Sequence, residues 1–180
     1  MSLKTVVIGT LGLGILVTAL AVLLSFTSGE STTPELIPTI VKLHQDNDNS
    51  VEKAKDITKI DEVVTDIDDT AISEAWYSML DCLKGTCVPD DYFNFIMIVI
   101  NEKSHEIKYS NLLTNILITQ RYWGTDNIVE FSKALTAANT DIEALHDKTI
   151  SSKWQEVVDC NGVCPEKNDL FFQMIGLLAS

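Results

Sequence analysis

Four cysteines in two close pairs are the residues of this chain best equipped for chemistry: Cys82 with Cys87, and Cys160 with Cys164. Such spacing suits three kinds of site. Two local disulfides would each close a very short loop, stabilising by about 2 kcal/mol in a chain-entropy account. Zinc is the second possibility, but neither pair has the x2 spacing most typical of structural zinc, and no histidine pair accompanies them. Redox exchange is the third, and it normally uses Cys-x-x-Cys. Local disulfides, one per pair, are the expected outcome, and they imply an oxidising compartment.

The remaining reactive residues are scattered. His44, His105 and His146 lie far apart and form no H-x-x-x-H pattern, so solvated side chains are expected rather than ligands or catalysts. Asp46-x-Asp48-x-Ser50 resembles the start of a calcium loop, yet it lacks the glycine at the sixth position and places Ile57 where a bidentate glutamate belongs. No Gly-rich phosphate loop and no G-x-S-x-G elbow occurs. Carboxylates are plentiful, but without a pocket they do not define acid–base catalysis. The expectation is a chain without catalytic residues, metal ligands or cofactor.

The elements that must hold the cysteines are written twice. Ile72-Ser73-x-x-Trp76-x4-Asp81-Cys82 returns as Ile150-Ser151-x-x-Trp154-x4-Asp159-Cys160, every match displaced by 78 residues. A second cysteine, a proline and an aspartate before aromatic or apolar residues follow each time (Cys87, Pro89, Asp91; Cys164, Pro165, Asp169). Leu36-Ile37 through Val41 pairs with Leu112-Leu113 through Leu117 at nearly the same offset. Two tandem copies are therefore expected, at residues 34–108 and 109–180.

Each copy reads as four helices. The first is short and apolar on one side (Leu36, Ile37, Ile40, Val41; Leu112, Leu113, Ile116, Leu117). The second shows three- and four-residue spacing through Ile57, Ile60, Val64 and Ile67, and through Ile128, Phe131, Leu135, Ile142 and Leu145. The third carries the tryptophan on its apolar face, so Trp76 and Trp154 are expected core anchors. The fourth opens with proline and aspartate, suited to a helix N-terminus. Phe95 to Ile100 alone could be a buried strand, but its counterpart at Leu170 to Leu178 reads as helix. The predicted fold class is all-α.

Ahead of the copies, Thr5 to Phe26 carries no charge over about 22 positions, roughly 33 Å of helix and enough for one bilayer crossing. A cleaved signal peptide has a shorter apolar stretch and a better cleavage site than Ser25-Phe26-Thr27-Ser28-Gly29. Lys4 before the span and Glu30 and Glu35 after it place residues 1–4 in the cytoplasm and the bulk of the chain outside, beyond a linker at 27–33. Localisation in the cell membrane as a single-pass protein follows. Thr10, Gly14 and Thr18, continued by Ala21 and Ser25, form a small-residue face on which another membrane helix could pack. Outside the bilayer, 12 basic residues against 26 acidic ones leave a formal −14, which argues against nucleic acid as a partner.

Trp123, beside Arg121 and Tyr122, stands outside the repeat pattern. Such an Arg–aromatic cluster is enriched at interfaces and is the candidate docking corner; packing at a helix end is the other possibility.

Three classes of function remain: an accessory or structural subunit of a membrane complex, a binding or sensor module using a groove between the copies, and an enzyme. The first is expected, with integral-membrane subunits, exterior protein faces and the lipid bilayer as partners. The layout resembles the single-span helical accessory subunits of the archaeal ammonia monooxygenase complex. The likeness rests on the Thr5–Phe26 anchor, an acidic exterior whose only arginine is Arg121, and the paired cysteines. It implies a membrane-bound copper oxygenase as host, with the active site in other subunits.

Overall fold

The computed structural model describes residues 33–46, 49–160 and 164–180. Thr5–Phe26 and its small-residue face (Thr10, Gly14, Thr18, Ala21, Ser25) lie outside the described residues, as do residues 27–32 of the expected linker and Asp48. Among the described residues no helix is long and apolar enough to cross a membrane.

Eight helices and no strand account for the regular structure of the described residues. In chain order they are α1 (Thr33–Gln45), α2 (Ser50–Ile67), α3 (Thr70–Leu83), α4 (Pro89–Glu102), α5 (Ser110–Tyr122), α6 (Ile128–Leu145), α7 (Lys148–Asp159) and α8 (Lys167–Ala179). Phe95 to Ile100 is helical, as its counterpart suggested: Pro89 sits in the first turn of α4, and Asp91 reaches back to accept the Val88 N–H at 2.9 Å.

The local punctuation recurs at the same 78-residue interval as the tryptophans. Asn49 and Asn127 accept the N–H of Glu52 and Glu130, capping α2 and α6. Asp69 caps α3 through Ala71 and Ile72, and Asp147 caps α7 through Thr149 and Ile150. Between these caps the chain turns on one left-handed residue, Asp68 at φ 50° and His146 at φ 52°. Aspartate and histidine tolerate that conformation better than branched side chains do, so a two-residue corner suffices.

Packing joins the two sets of four. Within each set the first helix touches the second and fourth, the second touches the third, and the third touches the fourth. Across sets, the first helix of each packs on the fourth helix of the other: α1 on α8, and α5 on α4. These four helices form a closed inner ring, with α2, α3, α6 and α7 outside it. All belong to one compact unit spanning Thr32–Ser180. Phe93 of α4 and Phe172 of α8 stack at 4.2 Å between centroids where the sets meet. Both are buried, as are Leu36, Ile37, Ile40, Leu113 and Ile116 from the first helices. At Gly176 a side chain would approach Val41 Cγ1 to 3.3 Å, so glycine keeps α1 and α8 close.

Trp76 and Trp154 are core residues, as expected, at 0 % and 4 % exposure. One expected face shifts. On α6 the buried residues are Ala134, Ala138 and Ile142, whereas Ile128 is 69 % exposed. Alanines at four-residue spacing make the seam, and Ile128, in the first turn, lies off that stripe.

Candidate functional site

The cysteine pairs are built by helix ends. Cys82 lies in the last turn of α3, and Cys87 precedes α4; they are joined, with their Cα atoms 5.2 Å apart. Cys160 ends α7 and is joined to Cys164 before α8, with a Cα separation of 5.6 Å. Each bridge closes a helix–helix turn, as the spacing implied.

Their surroundings differ. In the first pair, Asp91 Oδ2 lies 3.2 Å from Cys82 Sγ. A disulfide sulfur carries no hydrogen, so this is a contact and not a hydrogen bond. In the second, the corresponding Asp169 faces His44 Nε2 at 3.6 Å. Beside the first pair a cavity of about 190 Å³ is lined by Cys82, Asp91, Ser78, Met79, Asn94 and Phe95.

Polar side chains bridge the inner ring at both seams between the sets. At one, Gln120 of α5 donates to Asp90 of α4 at 3.1 Å, and Arg121 donates to Asn94 at 2.8 Å. At the other, His44 of α1 pairs with Asp169 of α8, its ring stacked on Phe172 at 3.9 Å and edge-on to Tyr92 at 5.0 Å. Burial holds the His44 pKa below its ordinary value, and the Asp169 carboxylate only partly opposes this. Burial likewise raises the Tyr92 phenol. His44 is thus a half-buried seam residue, contrary to the expectation of a solvated one, because α1 reaches the start of α8 at its last turn.

The candidate docking corner combines packed and exposed side chains. Trp123 does not stand free: it is half-buried, with its ring edge-on to Phe131 at 5.3 Å and to Phe171 at 5.9 Å. Tyr122 is half-buried too, and Arg121 is exposed. A few residues on, in the first turn of α6, Ile128 and Val129 are exposed apolar side chains, at 69 % and 63 % exposure. No feature of the sequence pointed to these two, since Ile128 fitted a helical stripe.

At the α1–α2 turn, Lys42 gathers three carboxylates. Its ammonium lies 2.9 Å from Asp56, 3.4 Å from Asp46 and 3.6 Å from Glu52. The hydrogen bond to the buried Asp56 is the main reason the Lys42 pKa is raised. Lys55, 2.6 Å from Glu52, lowers the pKa of that carboxyl. Of the Asp46-x-Asp48-x-Ser50 stretch, Asp46 pairs with Lys42 and Asp48 lies outside the described residues.

No family model, curated protein or solved structure matches this chain.

Proposed function

We propose that this chain is a non-catalytic accessory or structural subunit of a larger membrane complex, built as two tandem four-helix copies behind one membrane span. Thr5–Phe26 anchors it, its small-residue face receives a partner helix, and the acidic, disulfide-stapled exterior braces neighbouring subunits. The observation that carries this reading is the joining of an uncharged span-length run to an exterior whose two halves spend their apolar faces on each other. Such a body is one compact unit to present to neighbours. The corner of Arg121, exposed, with the half-buried Tyr122 and Trp123 beside it, is the face offered to a protein partner, in keeping with the enrichment of arginine and aromatic residues at interfaces. The resemblance in layout to ammonia monooxygenase accessory subunits suggests a membrane-bound copper oxygenase as host.

The second reading is a ligand groove between the copies. Phe93 and Phe172 occupy the seam, and the cleft beside Asp90, Asn94, Gln120 and Arg121 has about 150 Å³. Another cleft, of about 400 Å³, lies between Ile37 and Ile107 of the first copy and Ile150 and Leu177 of the second, and it is what favours this reading. Small-molecule sites usually offer about 300–1,000 Å³.

Gentle detergent extraction followed by native electrophoresis tests the proposal. Migration with other membrane proteins is expected, and replacing Thr10, Gly14 and Thr18 with leucine should weaken that association. A free monomer would overturn the subunit reading.

A further inference from the structure

We propose that Cys82, Cys87 and Asp91 form a soft-metal site that opens when the Cys82–Cys87 disulfide is reduced. The inference is independent of the membrane role. The two sulfurs and a carboxylate oxygen lie within 4.8 Å of one another. Cys-x4-Cys falls within the spacing used by zinc-binding turns, with metal–sulfur distances of about 2.3 Å. Asp91 is positioned before any metal arrives, because its Oδ2 caps the Val88 N–H at 2.9 Å while touching Cys82. The adjoining cavity of about 190 Å³ provides an approach and room for water at a fourth position.

The second cysteine pair supplies an internal contrast. Asp169 faces His44, 3.6 Å away, and among the described residues no third ligand gathers with Cys160 and Cys164 as Asp91 does with the first pair. Two thiolates and a carboxylate favour a borderline-soft divalent ion such as zinc over calcium or magnesium.

The chemistry balances with an external reductant of the thiol or phosphine class. A thiol pair breaks the S–S bond, is itself oxidised to a disulfide, and leaves two cysteine thiols. Binding M²⁺ then releases two protons to solvent, forming two S–M bonds. While oxidised, the same residues are a staple; the two states exclude one another.

Cobalt(II) added to the full-length protein in detergent, before and after phosphine reduction, reads the site directly. Sulfur-to-cobalt charge-transfer absorption should appear only after reduction. It should survive Cys160→Ser with Cys164→Ser, and vanish in Cys82→Ser with Cys87→Ser. Asp91→Asn keeps a capping acceptor and should bind cobalt at least about tenfold more weakly, since even outer-shell changes cost 10–100-fold. Helical circular dichroism of each variant confirms folding. No absorption in the reduced protein, equal absorption from both cysteine pairs, or an unaltered affinity in Asp91→Asn would each overturn the proposal.

Discussion

Trp76 donates its indole N–H to Asp61 at 3.0 Å, and 78 residues later Trp154 donates to Asn139 from the corresponding place. A carboxylate and an amide thus do the same work: each gives a buried ring nitrogen its acceptor at the crossing of the second and third helices. Since an amide suffices in one copy, Asp61→Asn should shift stability by less than about 1 kcal/mol. Asp61→Ala strands the Trp76 N–H and should cost about 1–3 kcal/mol. Urea unfolding distinguishes the two, and equal losses would show that the bond matters little.

Replacing one disulfide with a serine pair should lower stability by about 2 kcal/mol, because each bridge closes a loop of only a few residues. Losses at the two distant bridges should add. Denaturant midpoints test the energies. Intact mass should rise on reduction by the mass of four hydrogens, one for each of the four cysteines.

His44 predicts an acid-sensitive seam. The unfolded chain takes up this proton near the ordinary value of 6.5, whereas the folded pKa is lower because burial disfavours the cation. The unfolded state therefore binds more protons as pH drops, and stability falls from about pH 6.5 downward, levelling below the folded pKa. His44→Gln should flatten the pH dependence of the urea midpoint between pH 7 and 5. An unchanged slope would remove His44 as its source.

Gly176 tests the close contact of α1 with α8. Alanine there gains about 1 kcal/mol of helix propensity but presses Val41 Cγ1 from 3.3 Å, so a near-neutral change is expected. Gly176→Leu cannot be absorbed in that way and should cost about 1–3 kcal/mol by thermal or urea unfolding. Tolerance of leucine would contradict the helix spacing.

The sequence by itself determined the eight helices, their order and the cysteine pairing, because these depend on local matters. Three- and four-residue spacing set the buried faces of Trp76 and Trp154, prolines and aspartates marked the fourth helices, and the short Cys82–Cys87 and Cys160–Cys164 separations favoured local bridges. The 78-residue repeat also settled Phe95 to Ile100 as helix, which its own apolar run could not. Tertiary structure alone decided how the sets meet, since the inner ring brings residues more than a hundred apart into contact. It turned Trp123 onto Phe131 and Phe171, left Ile128 in solvent and carried His44 to Asp169. Most tellingly, it sent two aspartates at matching repeat positions to different partners, Asp91 to Cys82 and Asp169 to His44. Each stands in the first turn of a fourth helix, but Pro89 precedes Asp91 by two residues and Pro165 precedes Asp169 by four. The side chain lying against each also differs, a neighbouring cysteine for one and a histidine from the distant α1 for the other.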